Sequence, residues 1–99
     1  MSSPDWRLQV TPFQRKVYEV LLKIPKGQVR TYGELARMIG KPRSARAVGQ
    51  ALKANRWAPQ IPCHRVVASG DKLGGYSGPG GLAGKRRLLR REGVSRTFI

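Results

Sequence analysis

The chain has little that could hold a metal, cross a bilayer or lock itself covalently: one cysteine, one histidine and five acidic residues in 99 positions. One cysteine forms no internal disulfide, and one cysteine beside one histidine falls short of the four ligands of a structural zinc site. Asp5, Glu19, Glu34, Asp71 and Glu92 show no ligand spacing, so no metal site is expected. The glycine-rich stretch from Gly74 to Gly81 lacks the Gly-Lys-Ser/Thr ending of a phosphate loop, so no cofactor is expected either. No apolar run approaches the roughly eighteen residues of a membrane span. Met1 to Trp6 lack the basic-then-apolar order of a signal peptide, so the expectation is an intracellular chain with no membrane partner.

What is present is positive charge. Twenty Lys and Arg against five Asp and Glu give a formal charge of +15, costly in self-repulsion unless a polyanion binds. The cations are spread along expected helices rather than gathered in a tail, which favours nucleic acid over an anionic membrane. With 39% apolar residues in periodic clusters, the composition is that of a folded protein, while 12 Gly and 7 Pro mark a chain rich in turns. A chain of this length buries about 60–70% of its unfolded surface, enough for one modest core.

Thr11-Pro12-Phe13-Gln14 reads as a helix start, with Thr11 as N-cap, Pro12 at the first helical position and Gln14 completing a capping box. The helix should run from Pro12 to about Ile24, with Phe13, Val17, Val20, Leu21 and Ile24 on one face and Pro25-Lys26-Gly27 ending it. A second capping box, Thr31 to Glu34, opens a short helix with Leu35, Ala36 and Ile39 apolar, stopped by Gly40. A third helix, Ser44 to Asn55, turns Ala45, Val48 and Leu52 inward and Arg43, Arg46 and Lys53 outward. Helix, glycine turn, helix is the helix-turn-helix pattern. Downstream, Ile61 to Val67 reads as a turn followed by a strand, and Ser69-Gly70-Asp71 as a turn back into Lys72 to Tyr76, making a short hairpin or wing. A last helix spans about Leu82 to Glu92, with Leu82, Leu88 and Leu89 apolar and Gly93 as C-cap. The expected fold is mainly α, a winged helix-turn-helix-like domain with a short β-hairpin.

A lone cysteine is commonly an inert buried residue. Cys63, however, is flanked by Pro62, His64 and Arg65 in a strongly positive chain, and such surroundings favour the thiolate, the form that attacks carbon. Taken alone, the residues leave both readings open. Tyr32 is equally a helix-start surface residue, Glu92 an exposed last-turn carboxylate and Asn55 a helix cap.

Arg46-Ala47-Val48-Gly49, Asn55 and Ile61-Pro62-Cys63-His64-Arg65-Val66-Val67 together resemble the O6-alkylguanine-DNA alkyltransferase family, over about Thr11 to Gly93, including Thr31-Tyr32-Gly33 and Tyr76-Ser77-Gly78. The resemblance implies irreversible, single-turnover transfer of an alkyl group from O6-alkylguanine in double-stranded DNA to Cys63. His64 would relay the thiol proton through water and Glu92 would orient the imidazole; Tyr32 and Asn55 complete the catalytic set. It further implies a minor-groove approach, with Arg46 filling the place of the extruded guanine and Tyr32 assisting extrusion and protonation. Arg43, Ala45, Ala47, Gly49 and Lys53 complete the expected DNA-binding face, and Pro62, Val66, Tyr76 and Ser77 the substrate pocket. A base inside the duplex hides its O6 substituent, so the nucleotide must leave the stack before a buried thiol can reach it.

Two departures from the family stand out. Only about ten residues precede the first helix, where typical members carry a further N-terminal domain, and Tyr76 to Leu82 is two residues longer than the family's Tyr-Ser-Gly-Gly-Leu. The expected organisation is an N-terminal extension over 1–10, a catalytic domain over 11–94 and a tail over 95–99, monomeric and acting in cytoplasm or nucleus, wherever the DNA is. The alternative is an alkyltransferase-like lesion sensor that flags damage for excision-repair proteins. Such proteins usually have tryptophan or alanine in place of the cysteine, so the retained thiol argues for transfer. A winged-helix regulator with a structural cysteine is a third reading; it would prefer a sequence over a lesion.

Overall fold

The computed structural model describes residues 5–96. Helix α1 spans Pro12–Leu21, strand β1 Arg30–Thr31, α2 Tyr32–Met38, α3 Ala45–Lys53, β2 Val66–Val67 and α4 Gly81–Arg91, with 3-10 turns at Trp6–Leu8 and Cys63–Arg65. Residues 1–4 of the expected N-terminal extension and 97–99 of the expected tail lie outside the described residues.

Both capping boxes form. Thr11 accepts from the Gln14 N–H at 3.1 Å while Gln14 accepts from the Thr11 N–H at 3.0 Å, and Thr31 and Glu34 do the same at 3.1 and 2.7 Å. Helix α1 ends three residues before the expected Ile24, because Lys23 and Ile24 donate to carbonyls only three residues back, tightening the last turn ahead of Pro25. Gly40 (φ +78°) closes α2, with its N–H on the Arg37 carbonyl and that of Lys41 on the Ala36 carbonyl. Gly93 (φ +88°) closes α4 in the same way. These left-handed positions are where glycine carries no steric penalty.

The core lies where α1, α2 and α3 meet. Val17, Tyr18, Leu21 and Ile24 pack with Leu35, Ala36 and Ile39, with Val48, Ala51 and Leu52, and with Ile61, Cys63 and Val66. Val48 and Leu52 face in, Ala45 is half-buried, and Arg43, Arg46 and Lys53 are exposed, as the helical spacing predicts. Leu73, Leu89 and Val94 form a second cluster with Val29. Leu82, read as an inward residue of the last helix, is 45% exposed, and Leu88 is half-buried. Ahead of α1, Trp6 sets its ring 5.7 Å from Tyr18 and 6.4 Å from Trp57.

The β structure differs in detail from the expected hairpin. Strand β2 pairs in parallel with β1, Arg30 opposite Val66 and Thr31 opposite Val67, a partner the sequence did not announce. The turn at Ser69 to Asp71 forms, with Gly70 and Asp71 at positive φ, but the returning segment makes one antiparallel bridge, Ala68 to Lys72. Beyond it, the carbonyls of Val66, Leu73 and Gly75 accept from the buried ammonium of Lys85.

Candidate active site and nucleic-acid interface

Pro62 precedes a single 3-10 turn, Cys63 to Arg65, closed by the Arg65 N–H on the Pro62 carbonyl at 3.0 Å. The Cys63 N–H meets the Ile61 carbonyl at 2.8 Å, and the Asn55 amide holds that same carbonyl at 2.8 Å. The Asn55 side-chain oxygen in turn accepts from the Trp57 N–H at 2.9 Å. Asn55 is therefore buried and spent on the cysteine turn rather than standing as a solvent-facing cap.

Cys63 is 5% exposed, at the wall of a pocket of about 200 Å³ lined also by Tyr32, Gly49, Leu52, Lys53, Gly75, Tyr76 and Ser77. The expectation of a thiol activated by its neighbours' charge is not met. Burial pushes the Cys63 pKa up, and the Asn55 hydrogen bond, the positive Lys85 and a backbone hydrogen bond only partly oppose it. Arg65 gives the thiol no direct help, because its guanidinium is turned to Glu92, with Nε 3.0 Å from Oε1 and Nη2 2.9 Å from Oε2, and donates from Nη1 to the Ile24 carbonyl at 2.7 Å. A resting thiol of this kind needs a base to take its proton.

His64 follows Cys63 in the same turn. Its Nε2 lies 2.9 Å from Glu92 Oε2. Burial pulls the imidazole pKa below its ordinary value despite Glu92, so near neutrality the ring is uncharged. A carboxylate can only accept, which puts the imidazole proton on Nε2 and leaves a lone pair on Nδ1. That Nδ1 is buried with no hydrogen-bond partner among the described residues. Glu92 itself is held below the usual carboxylate range: burial would raise it, but hydrogen bonds from Arg65 and His64 prevail. The paired imidazole and carboxylate come from the cysteine turn and the end of α4, 28 residues apart in sequence.

Gly49 and Lys53, one turn apart on α3, line the pocket, and Arg46, one turn earlier on the same stripe, is exposed beside it. Ala47 is exposed and Arg43 lies in the exposed turn before α3. Gly49 has nothing within 4 Å of where a Cβ would stand, so helix packing does not demand a glycine there. Tyr76 lines the pocket with its ring 6.4 Å from that of His64, and its buried hydroxyl, without a partner among the described residues, has its pKa pushed by burial up to about 12. Ser77 donates to the Lys53 carbonyl at 3.1 Å, tying the long loop to α3. Pro62 and Val66, expected in the pocket, are buried behind Cys63 and do not line it. Their side chains fill the core side of the turn.

Leu52 and Gly75 line the pocket unforeseen. Lys85, fully buried, was also missed, although the helical period signals it: Lys85, Leu89 and Glu92 fall on one inward stripe.

A helix-turn-helix whose second helix borders a pocket with a buried thiol, next to a histidine paired with a carboxylate, defines a class: a helix-turn-helix domain built around a pocket cysteine. The chain belongs to the family described as 6-O-methylguanine DNA methyltransferase, DNA binding domain, whose model matches residues 12–94. It is 51% identical over 83 residues to the methylated-DNA--protein-cysteine methyltransferase of Salmonella typhimurium, covering 84% of this chain and 47% of that protein. It superposes on the crystal structure of Mycobacterium tuberculosis OGT in complex with DNA with a TM-score of 0.79 and 49% identity, over 84% of this chain and 50% of that one. It also superposes on Schizosaccharomyces pombe Atl1 in complex with damaged DNA containing O6-carboxymethylguanine, with a TM-score of 0.74 and 40% identity, over 84% of this chain and 77% of that one. The chain spans about half the length of the curated methyltransferases it matches.

Proposed function

We propose that this chain takes O6-alkylguanine out of duplex DNA and accepts its alkyl group on Cys63 in a single turnover. The observation that carries this reading is the buried thiol on a pocket wall with the His64–Glu92 pair behind it, at the edge of a cationic helix.

The chemistry balances without a cofactor. The His64 Nδ1 lone pair accepts the thiol proton, directly or through a water; the thiolate attacks the alkyl carbon; the carbon–oxygen bond to guanine breaks, and a proton returned to the purine completes the leaving group. Tyr32, on the pocket wall, is the proton donor and helps displace the base. The imidazolium formed in passing sits against Glu92, which Arg65 keeps ionised. The product is a thioether with no proton to lose and no ready leaving path, so each molecule handles one lesion. Tyr76 and Ser77 frame the flipped base, and Gly49 leaves the pocket mouth free of a side chain.

Arg46 fills the gap left in the stack, while Arg43, Lys53 and the small Ala45 and Ala47 let α3 lie close to the minor groove. The M. tuberculosis OGT structure in complex with DNA supports DNA as the partner. No described helix is long and apolar enough to cross a membrane; the site of action is whichever compartment holds the DNA. The likeness to Atl1, over 77% of that chain, favours lesion sensing as the second reading.

Intact-mass analysis after incubation with a duplex containing O6-methylguanine separates the two. Transfer adds one methyl to the peptide containing Cys63, whereas a sensor binds the lesion and keeps its mass. Methylation at another residue, or none in folded protein, overturns the proposal.

A further inference from the structure

Helix α4 carries more positive charge than its place in the fold uses. Gly84, Lys85 and Leu89 are buried, and Glu92, which follows them on the inward stripe, is turned to His64 and Arg65 of the cysteine turn. At 3.6 residues per turn, the opposite side presents Ala83, Arg86, Arg87, Arg90 and Arg91, all of them exposed. Four guanidiniums thus share one face of a helix with no acid on it. Arg86 and Arg90 are engaged within the chain, whereas Arg87 and Arg91 carry no ion pair among the described residues. Like charges three and four residues apart repel along a helix, and a polyanion laid across them relieves that repulsion.

The face is held firmly and lies apart from the candidate site. The three donors of the buried Lys85 ammonium meet the carbonyls of Val66, Leu73 and Gly75 at 2.7, 2.6 and 2.9 Å, and Leu89 packs with Leu73 and Val94, so the helix is pinned to the body of the domain. None of the four arginines lines the pocket, and the side of α4 that meets the cysteine turn is the one opposite to theirs. The positive surface continues past the helix end. Lys26 is exposed in the turn that abuts it, where a Cβ on Gly27 would stand 3.2 Å from the Glu92 carbonyl oxygen.

The chemistry of the face selects its partner. A helix that lies on a membrane needs an apolar stripe free to enter it, and the apolar side of α4 is packed into the domain, leaving Leu82, in the first turn, as its one exposed leucine. A row of guanidiniums without amide or hydroxyl side chains among them suits phosphate oxygens, whatever the base sequence.

We propose that the outer face of α4, through Arg87 and Arg91 with Arg86 and Arg90 beside them, is a second binding surface for duplex DNA, taking the phosphate backbone of a segment other than the one on which α3 docks. One chain then holds two duplex segments. The inference goes beyond the alkyl-transfer reading, which uses the α3 face alone, and requires no reaction at Cys63.

The test is the stoichiometry of the full chain with short undamaged duplexes. Analytical ultracentrifugation at low salt and excess duplex should show one chain carrying two duplexes, and Arg87→Gln/Arg91→Gln, with its Tm unaltered, should carry one. The log affinity of the second event, plotted against log salt, should lose about 0.9 of slope for each arginine removed. Arg87→Lys/Arg91→Lys preserves the charge and should keep both duplexes. One duplex per unaltered chain overturns the proposal, and so does a complex of two chains with two duplexes, which would give each segment its own chain. Retention of the second duplex by the folded Arg87→Gln/Arg91→Gln variant, or its loss from the lysine variant, also overturns it. Vesicles of phosphatidylserine and phosphatidylcholine that bind through Arg87 and Arg91, with no second duplex taken up, would assign the face to a membrane instead. A chain that takes two duplexes yet accepts no methyl would remove the transfer reading and leave this inference standing; a methylated chain that takes a single duplex would do the reverse.

Discussion

Cys63→Ser tests the nucleophile at a single atom. A serine hydroxyl is far less ionised near neutrality and a weaker nucleophile toward carbon, so the variant should bind the lesion duplex and accept no methyl. Binding is checked by titrating labelled duplex, transfer by intact mass; a methylated variant would remove Cys63 from the role. The buried imidazole next to the thiol gives a pH dependence of definite sign. His64 has its pKa lowered by burial, so the unfolded chain binds the proton first, and stability falls as pH drops through 6.5 toward the folded value. Glu92, lowered by Arg65 and His64 against the opposing effect of burial, stabilises the fold above its unfolded value of 4.5, and that contribution is lost as pH falls through the lowered one. Both effects weaken the fold in acid. Thermal melts at pH 7.5, 5.5 and 4 should give a steadily falling Tm, and an unchanged Tm between the first two would contradict a neutral buried imidazole.

At the scale of the element, α3 separates docking from extrusion. Arg46, Gly49 and Lys53 share one stripe, but only Arg46 stands clear of the pocket lining. If Arg46 fills the gap left by the flipped guanine, Arg46→Ala should slow transfer from duplex by roughly ten- to a hundredfold, because unstacking costs a few kcal/mol. Transfer from free O6-benzylguanine, which needs no unstacking, should be affected much less. Equal losses on both substrates in a folded variant would refute the role. The cysteine turn depends on Asn55, whose amide meets Ile61 and whose oxygen meets Trp57. Asn55→Ala leaves the part-buried Trp57 N–H without its acceptor and takes one of two donors from the Ile61 carbonyl, which keeps the Cys63 N–H; the cost should be about 1–3 kcal/mol, and chemical denaturation should register it.

For the whole molecule, charge dominates. Four of the five acids pair with few cations among the described residues: Glu19 meets Arg7 and Arg15, Glu92 meets Arg65, Asp71 meets Arg96 and Asp5 meets Arg7, while Glu34 caps α2. The formal charge of +15 therefore leaves many cations for phosphate. With about five phosphates neutralised, log affinity for undamaged duplex against log salt should slope at roughly −4 to −5. Fluorescence anisotropy across a salt series measures it, and a nearly flat line would argue against phosphate-dominated binding.

The sequence by itself determined the elements whose signals are local. Thr11 and Thr31 fix helix starts through partners three residues away, Gly40 and Gly93 fix helix ends by permitting positive φ, and the 3.6-residue period places Val48 and Leu52 inside. The stretch from Pro62 to Arg65 marked a cysteine turn for the same reason, since adjacent residues carry it, and the structure places that turn at the pocket wall. Only the tertiary structure decided what depends on distant partners. Burial by three helices, rather than the charge of its neighbours, sets the state of the Cys63 thiol. Arg65, adjacent in sequence, turns instead to Glu92, 27 residues away. The expected hairpin makes one bridge, and the carbonyls of Val66, Leu73 and Gly75 meet a lysine on α4, a partner 10 to 19 residues away. Composition reports how many charges a chain carries, but desolvation and hydrogen bonding arise from surroundings that exist only once the chain has closed around them.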